Sequence, residues 1–147
     1  MEISPEPRPA YATPYLLPLP KLGAPDIGYI TVVEPEHHLP FPIARTFWTY
    51  FTPESIVRGR HAHYRTEQVL VALAGRIIVT TEQADGTLQT FRLESPDIGL
   101  YVPPNVWHTM QYSHTAVQLV LTSTSYDEAD YIRDYDQFRA IWHTPEQ

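Results

Sequence analysis

Two histidines one residue apart, His61 and His63 in the run Arg58-Gly59-Arg60-His61-Ala62-His63, are the side chains of this sequence whose type and spacing best suit chemistry. On a β-strand the period of two puts both imidazoles on one face and turns the small Ala62 to the other. An imidazole titrates near neutral pH, accepts and donates a proton, and binds metals in its neutral form. Two chemistries therefore stand open. In the first, His61, His63 and Glu67 follow a His-x-His-xxx-Glu spacing, and His108 joins them after the Pro103-Pro104 turn. That nitrogen and oxygen set suits Fe, Mn, Ni or Zn, with positions left for substrate. In the second, no metal or other cofactor is needed: two imidazoles in one pocket move protons between adjacent carbons, or between carbon and oxygen.

The surroundings of the pair are basic within an acidic chain. The sequence has 147 residues and a formal net charge of -7, yet four of its ten Lys and Arg residues (Arg45, Arg58, Arg60 and Arg65) flank the histidines. This balance argues against nucleic acid or anionic lipid as a partner, since both need a broadly basic surface, and suits one small anionic ligand held by guanidinium forks. Arg45 and Arg58 arrive inside otherwise apolar β-runs, which marks them as pocket residues. Tyr101 and Trp107, rings with a polar tip, are candidates to stack on substrate, with core packing as the competing role. His37, His38, His114 and His143 are expected to be solvated. The chain has no cysteine. It has no apolar run long enough to cross a bilayer, and Met1 to Ala10 is acidic and proline-rich where a signal peptide would be basic and then apolar. A cytoplasmic protein without membrane contact is expected.

The elements that must position these side chains are mostly strands. Prolines at 5, 7, 9, 14, 18, 20 and 25 keep residues 1–27 from forming a helix, so they read as an arm followed by an edge strand around Tyr15 to Leu19, with the main domain over 28–147. Short β-rich runs then alternate with turn signals: Tyr29 to Val33, Ala44 to Phe51, Glu67 to Leu73, Ile77 to Thr81, Leu88 to Leu93, Leu100 to Val102 and Ala116 to Thr122. The spacing predicts an all-β sandwich or barrel, with a hairpin turn at Asp85-Gly86. Near the C-terminus the period changes. Tyr131, Ile132, Tyr135, Phe138, Ile141 and Trp142 recur at helical spacing behind Ser125 and Glu128, which resemble a capping box, so one short helical segment is expected. Asp127, Glu128 and Asp130 then read as solvated carboxylates in its first turn.

Four blocks in order resemble the nucleotide-sugar 3,4-ketoisomerases, also called WxcM-like cupins. They are Pro40-Phe41-Pro42-Ile43-Ala44-Arg45; the histidine run with Gln68; Gly99-Leu100-Tyr101-Val102-Pro103-Pro104 with Trp107-His108-Thr109-Met110; and Tyr126 to Phe138. The resemblance covers about residues 28 to 138. It implies a cupin jelly-roll barrel, a homodimer with exchanged strands, and a metal-free site acting on dTDP-4-keto-6-deoxyglucose or a close relative. His61 and His63 map onto the family's catalytic pair, with one as carbon base and the other as acid or oxyanion partner. Arg45 and Arg58 would hold the diphosphate or sugar. Tyr64 stands where the family usually has Lys, and Pro25-Asp26-Ile27-Gly28-Tyr29 replaces its Asp-x-Arg-Gly segment. The alternatives are a metal-dependent cupin enzyme such as a dioxygenase, and a sugar-nucleotide binding cupin without catalysis.

Overall fold

Alternating apolar residues build two five-stranded antiparallel sheets whose inner faces meet. The computed structural model describes residues 12–142, so the start of the N-terminal arm and His143 lie outside the described residues. One sheet runs β1 (Tyr15–Pro18), β9 (Ile98–Val102), β6 (Gln68–Ala74), β11 (Val117–Thr122), β4 (Arg45–Tyr50). The other runs β12 (Tyr131–Ile132), β5 (Val57–His63), β10 (Trp107–Tyr112), β7 (Ile77–Glu82), β8 (Leu88–Leu93). Leu70, Leu100, Val102 and Val120 from the first sheet pack against Ile77, Val79, Leu93, Met110 and Tyr112 from the second. The opposite face of the first sheet is covered by Leu19, Leu39 and Phe41, which pack on Val69, Val71, Tyr101 and Leu121. The architecture is the all-β jelly roll that the strand spacing and the resemblance predict, and Asp85-Gly86 makes the expected turn, with Gly86 at φ 92°.

Two segments depart from the reading of the sequence. The proline-rich beginning does supply β1 as an edge strand, but β2 (Lys21–Ala24) pairs with β3 (Gly28–Thr31) as a separate hairpin. The 27/28 boundary lies between the turn of that hairpin and β3. The C-terminal periodicity also resolves into three pieces. Asp127 caps a 3-10 turn, Glu128–Asp130, by accepting from the Ala129 N–H; Tyr131 and Ile132 form β12; and helix α2 covers Tyr135–Trp142. Asp134, whose Oδ1 accepts from the Gln137 N–H at 2.9 Å, starts the helix, so the Ser125–Glu128 capping box does not form there. Phe138, 0% exposed, seats α2 on Ala62 and Ile132. Burying such a ring is worth roughly 1.5–3 kcal/mol, and here it presses β12 against the strand that carries the histidines. A short helix α1 (Pro35–His38) holds His37 and His38 at the surface. Among the described residues, no helix is long and apolar enough to cross a membrane.

Candidate active site

The histidine strand is bulged, and the bulge decides what faces the barrel. Across β5 and β10, His61 lies opposite His108 but Gly59 lies opposite Thr109, so Arg60 is the extra residue. Gly59 and Arg60 take φ 82° and 57° to accommodate it. Any Cβ at position 59 would meet the His108 carbonyl oxygen at 2.8 Å, which explains the glycine. The extra residue restores Arg58 to the inner face, paired with Met110, although it is an odd number of positions from His61. Arg58, His61 and His108 thus line one cavity of about 190 Å³ together with Gln68, Gln118, Tyr131 and Arg133.

Three imidazoles converge there. The His61 ring is 5.0 Å from His63 and 4.7 Å from His108, centre to centre. His61 Nδ1 donates to the Gly59 carbonyl at 3.0 Å and His108 Nδ1 to the Val106 carbonyl at 3.1 Å. In each ring the proton is therefore on Nδ1, and Nε2 keeps its lone pair. Among the described residues, His108 Nε2 is buried without a hydrogen-bond partner. His63, 2% exposed, sits behind the cavity wall, with Nε2 2.6 Å from the Gln68 amide nitrogen and Nδ1 3.5 Å from Asp130.

Asp130 corrects the expectation of a solvated carboxylate. It is 3% exposed and accepts from the backbone N–H groups of Arg65 (2.8 Å) and Thr66 (3.1 Å) and from the Thr66 hydroxyl. A 3-10 turn, not the first turn of an exposed helix, carries it inward, and no helical pattern could have indicated that.

The other expected site residues divide. Arg45 reaches the site, with Nη2 donating to the Tyr131 hydroxyl at 3.3 Å and the guanidinium lying over Phe47 and Tyr126. Tyr101 does not: it is an outward residue of β9, packed on Tyr15 and Phe41, with its hydroxyl donating to Glu67 at 2.6 Å. Burial and that carboxylate push its pKa up. Glu67 is thereby drawn to the far side of the sheet and leaves the histidine group, so the four-residue metal set is reduced to His61, His63 and His108, whose ring nitrogens lie within 4.8 Å of one another. Trp107 alternates outward on β10 and packs against Phe138 and Tyr135. Period two explains both aromatic corrections, since each ring is the immediate neighbour of an inward residue. Tyr131 and Arg133, in contrast, line the cavity and were not singled out, because the helical reading of their segment hid a strand. Glu128 holds the Arg133 guanidinium at 2.6 and 2.9 Å.

All three imidazoles are neutral at pH 7. Burial, reinforced by His108 and His63, pushes His61 down to about 2. Burial, then His108, Arg45 and Arg133, lowers His63 to about 3. Burial lowers His108 to about 4 against its bond to Val106. Unfolded histidine takes up its proton near pH 6.5, so below that value the unfolded chain binds more protons than the folded one. The stabilisation is complete above about pH 6.5 and falls with acidification, by about 1.4 kcal/mol per pH unit for each ring. The melting temperature is expected to drop from pH 7 to pH 5, and more shallowly in His108→Gln. A melting temperature equal at the two pH values would contradict the neutral buried trio.

A family model described as FdtA, WxcM-like, C-terminal matches residues 14–143. The TDP-4-oxo-6-deoxy-alpha-D-glucose-3,4-oxoisomerase of Aneurinibacillus thermoaerophilus is 42% identical over 113 residues, which are 76% of this chain and 81% of that protein. QdtA, a sugar 3,4-ketoisomerase from Thermoanaerobacterium thermosaccharolyticum crystallised with TDP, is similar with a TM-score of 0.82 and 33% identity, over 87% of this chain and 93% of its own. The TDP-quinovose 3,4-ketoisomerase WlaRB from Campylobacter jejuni is similar with a TM-score of 0.81 and 34% identity, over 88% and 98%.

Proposed function

Because the chain belongs to the FdtA, WxcM-like family, we propose that its histidine cavity is the active site of a TDP-sugar 3,4-ketoisomerase, moving the keto group of a TDP-4-keto-6-deoxyhexose from C4 to C3. The observation that carries the residue assignment is the orientation of His61. Its Nδ1–H is tied to Gly59, so a neutral ring offers the Nε2 lone pair at a cavity lined by Arg58, Tyr131 and Arg133.

The hydrogen on C3 is acidic because the carbanion left behind delocalises into the C4 carbonyl. His61 takes that proton and becomes an imidazolium. The negative charge that grows on O4 is met by the Tyr131 hydroxyl, which accepts from Arg45 and so keeps its own proton free to donate. A proton passes from O3 to O4, the imidazolium returns a proton to C4, and the ketone now stands at C3. His63, with both nitrogens directed at protein groups, supports the site and does not act as the base. Arg45 and Arg58 hold the diphosphate. Proton NMR of the purified protein with TDP-4-keto-6-deoxyglucose tests the reading: the 3-keto isomer is expected, and an unaltered substrate spectrum would overturn it.

The same reading makes the protein a cytoplasmic homodimer. The hairpin β2–β3 exposes Leu22, Ile27, Tyr29 and Ile30, and the open edge at β4 exposes Trp48 and Tyr50. A second copy would cover both an apolar patch and a strand edge that is unpaired among the described residues. Sedimentation is expected to give a dimer at micromolar concentration, and a monomer alone would contradict it.

A further inference from the structure

Both ring nitrogens of His63 face buried side chains, and the two neighbours constrain each other. On one side stands the Gln68 amide, 2.6 Å from Nε2. An amide can turn either its nitrogen or its oxygen to a ring, so this contact alone leaves the His63 tautomer open. On the other side Nδ1 faces Asp130 Oδ2 at 3.5 Å, a charge contact longer than an ordinary hydrogen bond, and among the described residues it has no hydrogen-bond partner. A carboxylate only accepts, so at this distance a lone pair on Nδ1 would oppose its charge, whereas an Nδ1–H is attracted to it. The carboxylate therefore decides the tautomer, the tautomer makes Nε2 an acceptor, and the amide must turn its nitrogen to the ring.

Asp130 is itself held against rotation. The Arg65 N–H occupies Oδ1, while the Thr66 N–H and hydroxyl occupy Oδ2. At the far end of the chain of contacts, Gln68 lines the cavity beside His61 and His108. With its nitrogen committed to His63, its carbonyl oxygen is left for a ligand.

We propose that Asp130 is a positioning residue: through the Nδ1–H tautomer of His63 it fixes the Gln68 amide so that the carbonyl oxygen faces the cavity and accepts from a ring hydroxyl of the sugar. This rests on the ketoisomerase reading for the identity of the ligand, but not for the tautomer. An amide locked in one orientation discriminates a hydroxyl from a bare carbonyl, because a mismatched acceptor pair inside a buried site is left unsatisfied. The selected substrate pose is the one with the C3 hydrogen presented to His61.

Long-range proton–nitrogen correlation spectra of histidine-labelled, ligand-free protein read each tautomer directly. His63 is expected as Nδ1–H in the wild type. In Asp130→Asn, whose amide can turn an N–H toward the ring, the Nε2–H form is expected to appear. With it, kcat/KM for the TDP-keto sugar falls tenfold or more, while the Kd of TDP, which carries no sugar, stays within twofold. A merely structural role for Asp130 would lower the melting temperature without changing the tautomer. An Nε2–H ring in the wild type overturns the proposal with no variant needed, and so does an Asp130→Asn protein that keeps the Nδ1–H ring, whatever its rate. Absence of turnover in the wild type would sink the isomerase reading instead, and the spectra, taken without substrate, still decide the positioning.

Discussion

His61→Asn is expected to lower kcat by roughly 10²- to 10⁴-fold, the usual range for losing a general base, with TDP affinity unchanged. Asn can retain a hydrogen bond to the Gly59 carbonyl but has no basic nitrogen to take the C3 proton. The neutral state of His61 is what makes it a base, and burial among His63, His108 and Arg133 keeps it neutral. His63→Asn takes away support while leaving the base in place, so a smaller loss is expected. A His61→Asn protein that retained more than half the wild-type rate would remove His61 from the mechanism.

The second large effect is on binding. Arg45→Ala or Arg58→Ala is expected to weaken TDP itself by about tenfold to a hundredfold, because a charge-assisted hydrogen bond is worth roughly 1.5–3 kcal/mol. Arg45 brings its guanidinium to Tyr131 at the site, and Arg58 lines both the histidine cavity and the neighbouring cleft beside Trp48 and Tyr50. Each therefore has donors to give an anion. Arg92→Ala is the control: Arg92 is exposed on β8 and paired with Glu94, and its loss should change little. Calorimetry that found all three variants binding TDP as tightly as wild type would move the phosphate site elsewhere.

How much of this was legible in the sequence depended on how local the signal was. Period-two alternation put His61 and His63 on one strand, and the Asp85-Gly86 turn and the apolar runs outlined both sheets. Alternation failed where the backbone broke its own period. The bulge at Gly59 and Arg60 brings Arg58 inward, and nothing in the spacing announces an inserted residue except the glycine. Tyr101 and Trp107 sit one position away from inward residues, so an error of one in register reverses their face. The block from Tyr126 to Phe138 was recognisable as a motif, yet its apolar spacing also fits a helix. Only tertiary pairing of Tyr131 with His63 and of Ile132 with Ala62 makes it a strand, and that pairing carries Asp130, Tyr131 and Arg133 to the site. Long-range partners of that kind leave no periodic trace along the chain.

The central claim is that a base in this cavity removes the C3 hydrogen of a 4-keto sugar and that a proton is returned to C4. Turnover of TDP-4-keto-6-deoxyglucose in D₂O, followed by proton NMR, reads both events at once. The expected product is the 3-keto isomer, with the C3 hydrogen removed and the proton at C4 deuterated in proportion to the exchange of the His61 imidazolium with solvent before it returns its proton, formed by the wild type and lost in His61→Asn. A wild-type protein that leaves the C3 hydrogen in place and incorporates no deuterium would contradict the claim.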